Sequence, residues 1–173
     1  TFGDHSYTPD WFNQAGIGHI QLPFQSRNPF TLIKAARKTL KTVKALQPTL
    51  IHVHWRVTSP FAQIAWVRLR IPYVTTLHLL GIGESKLHRL FSYWGKRTIA
   101  ISSECQQYLV EDFGLKPENI DLIYNGADSH RFVLPSTEQR DNARKFFGLS
   151  ESATALCLIG RLETVKGHEV LLR

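Results

Sequence analysis

Thr49-Leu50-Ile51-His52-Val53-His54, Tyr73-Val74-Thr75-Thr76-Leu77-His78 and Thr98-Ile99-Ala100-Ile101-Ser102 decide how this chain folds. Each is a short run of β-branched and apolar residues that closes on a polar side chain, the composition of a strand buried in a sheet. The gaps between them carry helical periodicity, from about Ser59 to Leu69 after the first run and from Ser85 to Trp94 after the second. A loop at Gly81 and Gly83 opens the second gap. Strand and helix alternating at this spacing predict βαβ units, hence an α/β fold with a Rossmann-like parallel sheet and helices on both faces.

The alternation extends in both directions. Upstream, Gly18-His19-Ile20-Gln21-Leu22-Pro23 reads as a short strand. Asn28-Pro29 then opens a helix from about Thr31 to Leu46, with Ile33, Ala36, Leu40 and Val43 on one face. Downstream, Ser103-Glu104-Cys105-Gln106 has the form of a capping box for a helix that runs to Phe113 and stops at Gly114. Asp121-Leu122-Ile123-Tyr124 is the next strand, closed by Asn125-Gly126. The rhythm then breaks until Pro135, and a helix follows from Asp141 to Phe147. A last strand, Ala153 to Ile159, leads through a loop into a helix from Gly167. One strand and part of a helix cannot enclose a core. The reading is therefore one Rossmann-like domain over residues 1–128, a connecting segment with a helix over 129–150, and the opening of a second Rossmann-like domain over 151–173.

In parallel α/β sheets ligands bind beyond the carboxyl ends of the strands. His54, His78, Ser102, Asn125 and Arg161 all fall at or just after predicted strand ends. Of these, Arg161 lies in the most specific stretch, Gly160-Arg161-Leu162-Glu163-Thr164-Val165-Lys166-Gly167-His168. There a strand delivers a glycine turn, an arginine, and then lysine and glycine at a helix start. Free backbone N–H groups and the positive dipole end suit a phosphate. Arg161 adds a planar fork and Lys166 a point charge, a pair able to neutralise a diphosphate.

Composition narrows the classes. The 173 residues are 43% hydrophobic and 20% charged, which fits a packed globular chain and not a disordered or fibrous one. No apolar run approaches the roughly 20 residues needed to span a bilayer. Residues 1–10 lack the basic start and apolar core of a signal peptide. With no Met anywhere, the chain reads as a piece of a longer protein. Cys105 and Cys157, far apart in apolar periodic segments, read as buried thiols in a reducing cytoplasm. The net charge is +7, and its distribution is uneven. From Trp11 to Gly83 there is no carboxylate, while Arg27, Lys34, Arg37, Lys38, Lys41, Lys44, Arg56, Arg68 and Arg70 all fall there. A half of one sign attracts anionic partners.

These motifs together resemble glycosyltransferase family 4. The resemblance rests on Ile51-His52-Val53-His54, Pro72 through His78, Ile99 through Glu104, Tyr124-Asn125-Gly126-Ala127-Asp128 with Arg131-Phe132, and Gly160-Arg161-Leu162 with Lys166-Gly167, in that order. It covers the chain from about residue 15 onward. It implies a two-domain GT-B fold whose first strand lies before Thr1, and transfer of a sugar from a nucleotide-diphosphate sugar with retention of configuration. No metal or other cofactor is implied. By the resemblance Arg161 and Lys166 grip the donor diphosphate, His78 faces the transferred sugar and the diphosphate, and Asn125, Gly126 and Asp128 belong to the interdomain hinge. Thr49, Ala127 and Val165 depart from the commonest family residues. The first-strand glycine loop and a carboxy-terminal glutamate pair fall outside the chain, so the chain alone is expected to be inactive.

Two other classes compete. His52 and His54, two apart on a strand, point to one face and could chelate zinc in a metal-dependent hydrolase, although no further ligand set follows. A nucleic-acid module fits the charge but lacks a recognition motif, an aromatic–basic ladder and zinc spacing, so no nucleic-acid partner is expected. Trp11, Trp55, Trp66 and Trp94 read as packing or cleft-lining residues. The expected partners are a nucleotide sugar and a glycan or lipid-linked acceptor. The basic face of the 31–46 helix suggests an anionic membrane surface, giving a cytoplasmic protein peripheral at the inner face of the membrane.

Overall fold

The computed structural model describes residues 1–3, 10–81 and 89–173. The loop through Gly83 and the start of the helix expected from Ser85 lie outside them. The chain divides into two compact units, Thr1–Asn125 and Gly126–Arg173.

The first unit is built on four parallel strands, β3 (Ile51–Val53), β4 (Tyr73–Leu77), β5 (Arg97–Ala100) and β6 (Ile120–Leu122), hydrogen-bonded in that order. A separate parallel pair joins β1 (Phe2–Gly3) to β2 (Ile20–Gln21), with the short helix α1 (Asp10–Gln14) between them in sequence. β1 has no counterpart among the strands expected from sequence, because two residues are too few to show a period. Helix α2 (Pro29–Leu46) links β2 to β3 and packs on α3 (Ser59–Leu69). Helix α3 lies on β3 and β4, and α4 (Ser103–Phe113) on β5 and β6. Thr75 and Thr76 are adjacent on β4 and so point to opposite faces, yet both are buried. The central strand is covered on both sides, as its nearly unbroken apolar pattern predicts.

Local chemistry sets the helix ends. Asn28 caps α2, its Oδ1 accepting from the amides of Phe30 and Thr31 at 2.9 and 3.4 Å, and Pro29 occupies the first turn, where a missing N–H costs nothing. The buried stripe of α2 is Ala35, Thr39 and Val43, with Ala36 and Leu40 partly covered. Ile33, expected to face inward, is half exposed, because the stripe is rotated by about one position. Ser102, not Ser103, caps α4: its Oγ accepts from the Cys105 amide at 3.2 Å, and a cap must sit one residue before the first helical turn.

The predicted helix to Trp94 stops short. Arg89 and Leu90 are helical, but 92–94 are not. Trp94 instead packs with Leu77, Ala100, Cys105, Leu109 and Ile120 in the main core cluster, and the Tyr93 amide donates to Ser59 Oγ at 3.0 Å. Gly95 follows at φ 78°, where a Cβ would lie 2.4 Å from the Tyr73 carbonyl oxygen. Only glycine lets the two backbones meet there. At the start of β5 the Arg97 guanidinium forks onto both Asp121 oxygens and also donates to the Glu118 carbonyl at 2.9 Å. That contact holds the Asp121 carboxyl below its ordinary value and raises the guanidinium.

The second unit holds α5 (Thr137–Phe146) and α6 (His168–Leu171) and buries no side chain of its own. Helix α5 begins four residues before the expected Asp141, because Ser136 and Gln139 form a reciprocal capping box. The expected strand Ala153–Ile159 is not one. A strand exists only through a ladder, and no described segment pairs with it. Cys157 within it is therefore exposed, while Cys105 is buried as expected.

Candidate functional site

All four strands of the main sheet run the same way, so their carboxyl ends share one edge. His54 follows β3, His78 follows β4, and Ser102 follows β5 by two residues. Parallel pairing thus assembles side chains that are far apart in sequence.

His52, His54 and His78 form one cluster. His52 Nε2 lies 2.7 Å from Thr76 Oγ1, and His54 Nδ1 lies 3.1 Å from His78 Nε2. The His52 and His54 ring centroids are 4.0 Å apart with the rings tilted at 36°, and the His54 and His78 rings stack at 5.4 Å and 28°. Residues 52 and 54 share a face of β3, and 76 and 78 a face of β4, so the alternation of side chains places all four together. Thr76 is buried, and all three histidines are exposed at the edge. Thr76 is a site residue that the sequence reading missed, although its spacing of two from His78 puts it on the same face.

Charge is disfavoured on His52 and His78. Partial desolvation against the neighbouring rings, then the charges of His54 and His78, lowers the His52 pKa from 6.5; partial desolvation, then His54, lowers that of His78 from the same value. In the unfolded chain these rings titrate near 6.5, so on acidification the unfolded state binds protons first. Their contribution to stability is full above that value and is lost as the pH falls through the depressed native values. The urea midpoint is expected to drop between about pH 7.5 and about pH 5.5, and less steeply in a His52→Gln/His78→Gln variant. Equal slopes in the two proteins would remove the effect.

His52 Nε2 is engaged by Thr76 and His54 Nδ1 by His78. Among the described residues no group of three or more His, Cys, Asp or Glu is placed to hold an ion. The geometry gives no support to the hydrolase alternative built on His52 and His54.

Beside the cluster, a cavity of about 360 Å³ runs between β1 and β3, walled by Phe2, Phe24, Val43 and Phe61 and reaching His52, His54 and Trp55. Its walls are mainly apolar. Of the tryptophans, Trp94 packs in the core, Trp55 lines this cavity, Trp66 lies under Arg70 and Lys96, and Trp11 is exposed. Next along the sheet edge, Glu104 in the first turn of α4 is held below its usual pKa by hydrogen bonds, first from Ser102 and then from its own amide.

Arg161 and Lys166 lie in the second unit. Arg161 Nη1 pairs with Glu163 Oε1 at 3.0 Å and remains largely exposed. Lys166 ends a 3-10 turn, Thr164–Lys166, and its stem passes Gly160, where a Cβ would sit 3.6 Å from the lysine Cγ. The helix expected from Gly167 is the four-residue α6. Asn125 and Gly126 are the residues at which the two units divide. Asp128 Oδ1 accepts from the His130 and Arg131 amides at 2.9 and 3.3 Å, which fixes a turn there.

Among the described residues no helix is long and apolar enough to cross a membrane. The sequence pattern of Glycosyltransferase Family 4 matches residues 4–131. Among curated proteins the chain is similar to the D-inositol 3-phosphate glycosyltransferase of Rhodococcus opacus, 28% identical over 143 residues covering 72% of this chain and 30% of that one. It is also similar to the mannosylfructose-phosphate synthase of Agrobacterium fabrum, 28% identical over 167 residues covering 82% and 36%. The chain thus spans about a third of the length of these relatives. In fold it is similar to a glycosyltransferase from Rickettsia africae, with a TM-score of 0.74 and 20% identity over 94% of this chain and 44% of that one. A second structure, Anabaena HepE in complex with UDP-glucose, gives a TM-score of 0.62 and 19% identity over 80% and 38%.

Proposed function

The chain belongs to glycosyltransferase family 4 and has a GT-B-type α/β fold, and from that premise we propose that it is the acceptor-side part of an enzyme that transfers a sugar from a nucleotide-diphosphate sugar with retention of configuration. The observation that carries this reading is the cluster of His54 and His78 at the carboxyl edge of the parallel sheet, where such folds bind ligands. UDP-glucose, held by the Anabaena neighbour, is the donor class intended.

His78 faces the donor sugar, and Arg161 and Lys166, on the segment that opens the donor-binding domain, hold the diphosphate. Both cations are exposed on the loop between Gly160 and Gly167, where the ion pair of Arg161 with Glu163 is itself exposed to solvent and open to competition by an anion. Asn125, Gly126 and Asp128 form the hinge. The reaction uses no metal, because the leaving diphosphate is neutralised by the two cations. The acceptor hydroxyl belongs to a glycan or a lipid-linked molecule. Lys34, Arg37, Lys38, Lys41 and Lys44 are all exposed on α2, which supports docking to an anionic membrane surface from the cytoplasmic side.

The test is a donor screen on the whole protein, reading nucleoside diphosphate release with and without acceptor extracts, alongside sedimentation with vesicles. One nucleotide sugar should stand out, and binding should rise with anionic lipid. Release from none of the common UDP-, GDP- or ADP-sugars would end the transferase reading. Equal sedimentation with neutral and anionic vesicles would end the membrane part.

A further inference from the structure

His52 and His54 on one strand meet Thr76 and His78 on the next along two parallel diagonals, each joining residues 24 apart. The second of these contacts, His54 Nδ1 to His78 Nε2 at 3.1 Å, is a hydrogen bond between two imidazoles and therefore holds one proton. With both rings neutral there are two ways to place it. If His54 donates, both rings take the Nδ1–H form. If His78 donates, both take the Nε2–H form, which is the more stable tautomer of a free neutral histidine side chain. Charge on His52 or His78 is disfavoured, because the His52 and His54 ring centroids are 4.0 Å apart and His54 lies against His78.

We propose that His54 accepts from His78 Nε2–H and thereby fixes His78 Nδ1 as an unprotonated hydrogen-bond acceptor. Resting on the donor-site reading above, this makes His78 a partner for a hydroxyl of the transferred sugar. It is a poor partner for the diphosphate, whose oxygens carry no proton at neutral pH and would meet a lone pair. Sugar recognition and diphosphate neutralisation are then divided: His78 takes the first, and Arg161 with Lys166 the second. His54 is a positioning residue, acting only through His78. His52 supports it by packing its tilted ring against His54, with its own Nε2 tied to the buried Thr76 hydroxyl.

Imidazole nitrogen NMR on the ¹⁵N-labelled chain at neutral pH reads this directly. Expected are pyrrole-type shifts at Nε2 of both rings, pyridine-type shifts at Nδ1 of both, and a scalar coupling across the bond from His78 Nε2–H to His54 Nδ1. A pyrrole-type Nδ1 at either ring, or averaged shifts at both nitrogens of His78, overturns the proposal. In His54→Ala the coupling should vanish and the His78 shifts should move to averaged values, while His54→Asn, whose Oδ1 can accept, should restore the locked form. UDP-glucose titrated into the whole protein separates the two claims. Failure to bind counts against the donor-site reading and leaves the tautomer result standing.

Discussion

Changing Arg161 and Lys166 together to alanine in the whole protein should lower kcat/KM for the nucleotide-sugar donor by about 10²–10³-fold or more. A departing nucleoside diphosphate gathers negative charge as the sugar bond breaks, and only groups that meet this charge in the transition state accelerate the step. The arginine offers a planar fork to two oxygens and the lysine a compact charge, so the pair suits two linked phosphates. Both side chains are exposed and neither supports a core, so the variant should unfold at the same temperature as the parent protein. The double change removes the Arg161–Glu163 ion pair at 3.0 Å, and surface pairs of this kind contribute little. Arg161→Lys should fall between, because charge is kept and the fork is gone. Full turnover and unchanged donor affinity in the double variant would remove the diphosphate site from this segment.

Leu109→Ala should destabilise the first unit severely, by about 2–5 kcal/mol. Leu109 has no exposed surface and sits on α4 within the cluster of Leu77, Trp94, Ala100, Cys105 and Ile120. That cluster joins one helix to β4, β5 and β6, so the cavity left behind cannot be filled by a local shift. Against an ordinary domain stability of about 5–15 kcal/mol this is a large fraction. Leu134→Ala is the control: with 94% of its surface exposed, it should change stability by no more than about 0.5 kcal/mol. Urea unfolding of the two variants gives the comparison. Similar midpoints would contradict the packing of α4 on the sheet.

The architecture was readable because its signals are local. Val53, Val74 and Ile99 sit in runs that can only be buried strands, and α3 begins and ends where its periodicity places it. Boundaries were less readable. The cap of α4 lies one residue earlier than the capping-box pattern suggested, and α5 starts at a box that its charged, weakly periodic sequence concealed. His78 was legible as a strand-end residue and through a family resemblance. His54 was legible only as a strand-end residue and a metal ligand, because the register between β3 and β4 is not written in either strand.

By itself the sequence determined the alternation of strand and helix, the parallel sense of the sheet and the cationic character of its first half, since these depend on periodicity, connection length and charge. Only the tertiary structure decided that His54 meets His78, and that 153–159 forms no strand. Both outcomes depend on which segments come to lie side by side. Pairing is a property of two stretches of chain and their register, and no single stretch encodes it.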